Sequence, residues 1–313
     1  MRIAVIGMGG VGGFFGGKLA YAFADSKEND VFFIARGDHL KAMQEQGLTV
    51  KSSEEKFVAY PTEAVQDPSE IGMVDFVLFC VKTYDLETAA QQIVPLLKRE
   101  TLVLPLLNGV DHAERLRALL PQGKVLNGCC YIFSKIESPG VISQGGGVPR
   151  IVFGADKGVG LPEISQDQLD LLANLFREAD ISAKFVADAE VAVWSKYLLI
   201  CSLGGITSFF QKPVGAVASN PEQRAMLLTT MEEVYAVAKA KGVQLDEAIV
   251  KKTMASVDTF APESTTSMQR DFEKGSRTEL EAFSGYIVRT GRGLGVPTPA
   301  HEKVYEQLKP LSK

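Results

Sequence analysis

Met1-Arg2-Ile3-Ala4-Val5-Ile6-Gly7-Met8-Gly9-Gly10-Val11-Gly12-Gly13-Phe14-Phe15-Gly16-Gly17 opens the chain, and its reading decides the fold. Arg2 to Ile6 is a short run rich in β-branched side chains, the composition of a buried strand. Gly7, Gly9 and Gly12 follow with the spacing G-x-G-x-x-G. Beyond them Phe14, Phe15, Leu19 and Phe23 read as the inward face of a helix. A glycine turn alone is common; a glycine turn between a strand and a helix is what a dinucleotide site requires. Gly7 permits the tight turn, Gly9 lets backbone approach a pyrophosphate, and Gly12 lets the helix pack close to the strand. The helix start offers unpaired N–H groups and a positive dipole end to phosphate. Gly7, Gly9, Gly10, Val11 and Gly12 are therefore the candidate cofactor cradle.

The next strand, 30–36, ends in Ala35-Arg36-Gly37 with no acid at its tip. An acid there would bind a ribose 2′-hydroxyl, whereas arginine accommodates a 2′-phosphate, so Arg36 points to NADP(H) rather than NAD. A solvated loop arginine is the plainer alternative, and Asp38, two residues on, is the feature that counts against NADP. Apolar runs at 74–81 and 101–107 read as further strands of a parallel sheet buried on both faces. They end in Lys82 and Asn108, at the carboxyl ends where open α/β sheets bind ligands. A surface lysine and a turn asparagine at Asn108-Gly109 explain these two residues equally well. Residues 39–47 read as a helix and 48–61 as short extended segments. Strands at 125–134 and 140–154 are expected to extend the sheet antiparallel, with Gly145-Gly146-Gly147 a loop. A helix from about Glu163 to Ala179 and a strand over 182–186 complete this part.

From about residue 188 only helical patterns remain, at 188–202, 221–241, 246–259, 263–274, 278–293 and 299–309; the second starts at Asn220-Pro221-Glu222, with Asn as cap and Pro in the first turn. The expected fold is an α/β Rossmann-type doubly wound domain over 1–187, followed by an all-α domain over 188–313. At 313 residues two domains fit better than one core. The composition, 46% hydrophobic and 23% charged, is that of a globular protein. A net charge of −5 argues against nucleic acid as a partner. No apolar run reaches membrane-spanning length, and with a strand beginning at residue 2 no signal peptide is expected. Cys80, Cys129, Cys130 and Cys201 have neither disulfide nor zinc spacing, so reduced thiols and a cytoplasmic location are expected. His39, His112 and His301 are scattered, and no metal site is read.

Within 188–202 the centre, Val193-Trp194-Ser195-Lys196-Tyr197-Leu198-Leu199-Ile200-Cys201, is apolar nearly all round, the mark of a buried helix. Lys196 is the one charge in that centre. It either reaches a cleft as a general acid or snorkels, with its stem packed and its head in water. Further on, Ser276-x-x-Glu279 and Thr278-x-x-Glu281 each fit a capping box. Glu279 is thus a helix cap, or an acid facing a cleft and holding a substrate hydroxyl.

Taken together these residues resemble the ketopantoate reductases (2-dehydropantoate 2-reductases), over the whole chain and in order. The resemblance rests on Gly7-Met-Gly-Gly-Val-Gly12, Ala35-Arg36-Gly37-Asp-His-Leu40, Cys80-Val-Lys82-Thr, Leu107-Asn108-Gly109, Trp194-Ser-Lys196, Thr265-Thr-Ser267-Met and Arg277-Thr-Glu279-Leu-Glu. It implies a cytoplasmic NADPH-dependent oxidoreductase with its active site between the two domains. As partners it implies a small-molecule 2-oxo acid, and it admits a homodimer. It implies that Lys196 protonates the developing alkoxide and that Glu279 holds the substrate hydroxyl and orients the lysine. It further implies that Ser267 lies near the substrate carboxylate, that Lys82 and Asn108 line the cofactor and substrate crevice, and that Arg36 contacts the 2′-phosphate. The implied reaction is 2-dehydropantoate to (R)-pantoate in pantothenate biosynthesis. One departure stands out. The family commonly carries asparagines four and eight residues after the lysine, where this chain has Ile200 and Gly204. That change makes another branched or aromatic 2-oxo acid the rival substrate. A non-catalytic NADP-binding redox sensor is the rival of another class, and retention of Lys196 and Glu279 counts against it.

Overall fold

Strand β1 (Arg2–Ile6) lies at the middle of a six-stranded parallel sheet, and its alternation explains why. Ile3 and Val5 enter one apolar cluster and Ala4 and Ile6 another, so both faces of the strand are covered. The computed structural model describes residues 1–156 and 164–313. They form two units, Met1–Leu107 with Asp111–Ala189, and Asn108–Val110 with Glu190–Lys313. Against the boundary expected at 187, the division falls after Ala189, and the second unit takes in the short segment Asn108–Val110.

In the first unit β1 leads into α1 (Gly10–Ala22), β2 (Asp30–Ile34), α2 (Gly37–Gln46), β3 (Leu48–Lys51), β4 (Lys56–Ala59) and β5 (Glu63–Val65). Next come β6 (Phe76–Phe79), α3 (Leu86–Ile93), β7 (Leu102–Pro105), α4 (His112–Leu119) and β8 (Lys124–Val125). The sheet order is β5-β2-β1-β6-β7-β8. The chain runs outward from β1 on one side, then returns to place β6 on the other. The order therefore reverses at β1, and the crevice opens at the carboxyl ends of β1 and β6. Phe14, Phe15, Leu19 and Phe23 are all buried, as the helical spacing required.

The strands expected to extend this sheet do something else. After β9 (Asn127–Tyr131) come β10 (Ser134–Ser138), β11 (Val141–Gln144), β12 (Arg150–Gly154), α5 (Gln166–Glu178) and β13 (Ser182–Phe185). β10 and β11 join β3 and β4 in a separate four-stranded sheet, and β9, β12 and β13 form a three-stranded one. Strand pattern specifies a buried face but not which partner covers it, which is why the local reading misplaced them. The loop at Gly145-Gly146-Gly147 separates β11 from β12. The helix start expected at Glu163 lies outside the described residues; α5 itself begins at Gln166 behind a Ser165–Gln168 capping box.

The second unit is helical. It contains α6 (Ala189–Phe210), α7 (Val214–Ser219), α8 (Pro221–Ala240), α9 (Ile249–Val257), α10 (Ser267–Glu273), α11 (Tyr286–Leu294) and α12 (Pro299–Leu308). α6 extends eight residues beyond its expected end at 202, through Leu203, Ile206 and Thr207, all buried. Contrary to the expectation that no apolar run reaches membrane-spanning length, this helix is long and apolar enough to cross a membrane, because it runs past 202; 72% of its most apolar window is buried within the fold. It is the core rod of this unit, packed among Leu227, Met231, Val234, Phe283 and Val304. α7 was not expected. α8 begins as read, with the Asn220 side chain accepting from Gln223 N–H and Pro221 in the first turn.

Candidate functional site

Each unit carries one group of candidate residues. In the first, Gly7 turns the chain off β1 at φ +87, a conformation that favours glycine. A Cβ there would stand 2.7 Å from the Cys80 carbonyl carbon. A Cβ at Gly12 would stand 2.3 Å from the Gly7 carbonyl oxygen, so this glycine sets the close approach of α1 to the strand. Gly9 differs: its Cβ would meet nothing within 4 Å. The space beside it is open, as a group seated on the turn requires. The first helical bond of α1 runs from Gly13 N–H to Gly9 O at 2.7 Å. The N–H groups of Gly10, Val11 and Gly12 precede it and have no helix carbonyl to serve. No acid stands in this first turn. The arrangement fits an anionic phosphate chemically and sterically.

A cleft of about 520 Å³ opens at this turn, lined by Gly7, Gly9, Arg36, His39, Lys82 and Asp85 among others. Four of the sequence-derived candidates, Gly7, Gly9, Arg36 and Lys82, are thereby brought together. Gly10 faces elsewhere, since its Cβ would lie 2.5 Å from the Ser134 carbonyl oxygen. The Arg36 guanidinium is 84% exposed and stands 3.4 Å from the Asp85 carboxylate. An exposed pair at that distance is weak, so Arg36 is available to a stronger anion such as a phosphate.

His39 was missed as a member of this site. Its Nδ1 accepts from Gly140 N–H at 2.9 Å, and its Nε2 lies 2.8 Å from the Met8 carbonyl oxygen. Only the neutral ring protonated on Nε2 makes both bonds. Burial holds its pKa below the usual histidine range, against the hydrogen bond to Met8, which acts the other way. The ring thus pins the glycine turn to the β10–β11 connection. Its place just after Arg36 was the available signal; nothing local announced Gly140 as a partner.

In the second unit three candidates meet. The Lys196 Nζ donates to Asn108 Oδ1 at 2.9 Å, and Asn108 Nδ2 donates to Glu279 Oε2 at 3.2 Å. The amide orientation is fixed chemically, because an ammonium only donates and a carboxylate only accepts. Lys196 is half-buried on α6, and Glu279 is only 3% exposed. The trio is a short polar chain with its carboxylate end buried and its ammonium end reachable. Ser267 is half-buried at the first position of α10, a helix capped by the Thr266 side chain.

The capping boxes expected at Ser276 and Thr278 are absent. The turn after Glu279 starts at Leu280, which offers no side-chain cap. The Glu279 carboxylate accepts from Asn108 Nδ2 instead. Ile200 lies one turn beyond Lys196 on α6 and is half-buried. Gly204 is buried, and its missing side chain leaves room for the Phe283 ring, 3.3 Å from where a Cβ would be. Among the described residues no three His, Cys, Asp or Glu side chains converge as a metal site.

Two family models match the chain. One, Ketopantoate reductase PanE/ApbA, covers residues 3–158; the other, Ketopantoate reductase PanE/ApbA C terminal, covers 188–312. An uncharacterized oxidoreductase of Bacillus subtilis, YkpB, is 29% identical over 309 residues, 99% of this chain and 98% of its own. A 2-dehydropantoate 2-reductase of Mesorhizobium japonicum is 28% identical over 100% of this chain and 98% of its own. Among solved structures, a PanE/ApbA family ketopantoate reductase from Ralstonia eutropha superposes with a TM-score of 0.88 at 30% identity, covering 99% of this chain and 98% of that one. A D-mandelate dehydrogenase solved with NADH and anilino(oxo)acetate shares the fold, with a TM-score of 0.85 at 24% identity over 99% and 98% of the two chains.

Proposed function

The chain belongs to the ketopantoate reductase family, a family of oxidoreductases, and from that premise we propose that it reduces a 2-oxo acid with NADPH, 2-dehydropantoate being its first candidate substrate and (R)-pantoate the product. The observation that carries this reading is the hydrogen-bonded chain Lys196–Asn108–Glu279. Gly7, Gly9 and the first N–H groups of α1 would hold the pyrophosphate of the coenzyme, and Arg36 its 2′-phosphate. When bound, the reduced nicotinamide supplies a hydride to the C2 carbonyl carbon of the substrate.

The chain's own residues deal with the charge that this transfer creates. The Lys196 ammonium donates a proton to the carbonyl oxygen as it becomes an alkoxide, which stabilises the transition state more than the ground state. Asn108 Oδ1 fixes the ammonium's direction, so its geometry is set before the reaction begins. The Glu279 carboxylate accepts from the other end of the same amide and so fixes which way Asn108 faces the lysine. Lys196 regains its proton from solvent through its exposed side.

A second reading, a related 2-hydroxy-acid dehydrogenase for a branched or aromatic 2-oxo acid, is favoured by Ile200 and Gly204. Ile200 places an alkyl side chain one turn along α6 from Lys196. The Phe283 ring fills the space at Gly204. A panel of ketopantoate, branched and aromatic 2-oxo acids, assayed by reduced-nicotinamide oxidation, separates the two by kcat/KM. Ketopantoate ranking first supports the first reading, and an aryl or branched acid ranking first supports the second. The same assay tests the coenzyme. Arg36→Ala should raise the Kd for NADPH by roughly tenfold or more while leaving NADH unchanged. Equal losses for the two coenzymes would place the 2′-phosphate elsewhere.

A further inference from the structure

Tyr197 is the neighbour of Lys196 on α6, but it points into the core and is fully buried. Its hydroxyl lies 2.8 Å from the Ala282 carbonyl oxygen and 2.9 Å from that of Phe283. With one proton to give, it shares that proton between the two. Both carbonyls belong to an irregular turn over Glu281–Gly285, where one extra residue is accommodated as a π-turn. Phe283 sits there at φ −98, ψ −105, outside helical geometry. The Tyr286 N–H bonds to Phe283 O, not to Ala282 O, the carbonyl an uninterrupted α-helix would use. The Tyr197 hydroxyl supplies a donor to that displaced carbonyl.

The turn's first bonds end on Glu279, whose main-chain carbonyl accepts from Ala282 N–H at 3.1 Å and Phe283 N–H at 3.0 Å. The contacts therefore close a ring. They run from Tyr197 to the carbonyls of Ala282 and Phe283, and from the N–H groups of these residues to Glu279. They continue to Asn108 and to Lys196, the residue peptide-bonded to Tyr197. The Tyr197 and Phe283 rings meet edge to face at 6.0 Å. Gly204, by lacking a side chain, admits the Phe283 ring on the same helix.

We propose that Tyr197 is a positioning residue whose hydroxyl holds the 281–285 turn in the register that presents the Glu279 carboxylate to Asn108 and so orients the Lys196 ammonium. This rests on the reading of Lys196 as the proton donor. The test is Tyr197→Phe, which keeps the ring and deletes the hydroxyl. Its kcat should fall by about tenfold or more, with the Kd for NADPH unchanged. The alkaline limb of the kcat–pH profile, which reports the proton donor in the ternary complex, should move. In a Glu279→Gln background the same substitution should have no further effect on kcat, because the carboxylate it acts through is gone.

A purely structural tyrosine would lower Tm and leave kcat and the pH profile alone; that result overturns the proposal, as does full additivity with Glu279→Gln. If Tyr197→Phe does not yield folded protein, Gly204→Ala presses on the Phe283 ring from the same helix, and a kcat and pH profile like those of the unmodified protein would overturn it equally. Lys196→Ala, assayed alongside, separates the two levels. Unimpaired turnover there removes the proton-donor reading itself. Lost turnover there, with normal Tyr197→Phe, removes only the positioning role.

Discussion

A methyl group added at Gly9 meets open space, and one added at Gly12 meets the Gly7 carbonyl oxygen. The two substitutions should therefore separate binding from folding. Gly9→Ala is expected to leave Tm close to that of the parent and to weaken NADPH binding by about tenfold or more, because the methyl would enter the space proposed for the pyrophosphate. Gly12→Ala is expected to lower stability by roughly 1–3 kcal/mol, because helix and strand must part. Thermal melts with coenzyme titrations check both, and the same response from both variants would contradict this division. These glycines were legible in the sequence because their requirement is local, a turn and two close approaches. Asn108 was legible only as a strand-end residue. That it couples Lys196 to Glu279 depends on partners 88 and 171 positions away, and no local pattern records such distances. His39 and Tyr197 escaped notice for the same reason, since their partners are main-chain groups of remote segments.

At the scale of elements, the strongly periodic pieces were read correctly in kind. β1, α1 and α8 follow from buried-strand composition, inward spacing and an Asn-Pro start. The failures are at irregular places. The π-turn over Glu281–Gly285 interrupts what the periodicity presents as one helix, and the last strands pair in sheets of their own. The interruption is supported from below. His301 is fully buried, its Nδ1 3.2 Å from Ser284 Oγ in that turn and its Nε2 3.1 Å from the Thr230 carbonyl oxygen. Burial lowers its pKa to about 4, against the hydrogen bond to Thr230.

The sign follows from linkage. The unfolded chain takes up this proton near pH 6.5 and the folded chain only near 4, so the unfolded state binds more protons in between. The His301 contribution is therefore fully present above pH 6.5 and is lost as pH falls toward 4, by about 3 kcal/mol at most. His39, also shifted downward, adds in the same direction. Glu233, whose carboxylate accepts from Ala300 and His301 N–H, is raised by burial and opposes them. Denaturant unfolding of the parent and of His301→Gln across this range isolates the histidine. The parent should lose stability more steeply on acidification, and parallel curves would exclude His301 as a source of the slope.

At the scale of the molecule, the order of an α/β domain followed by a helical one was readable from texture alone, and the family follows from matches that run through both. What texture did not convey is that Asn108–Val110, a stretch that follows β7 in the chain, groups with the helical unit, where Asn108 meets Lys196 and Glu279. The proposed proton transfer depends on that meeting. It is tested most directly by rapid mixing of NADPH-saturated protein with ketopantoate, following nicotinamide oxidation in a single turnover for the parent and for Lys196→Ala. The expected result is a rate about 10²–10⁴-fold lower in the variant, with an unchanged Kd for NADPH. A variant that oxidises NADPH as fast as the parent would contradict it.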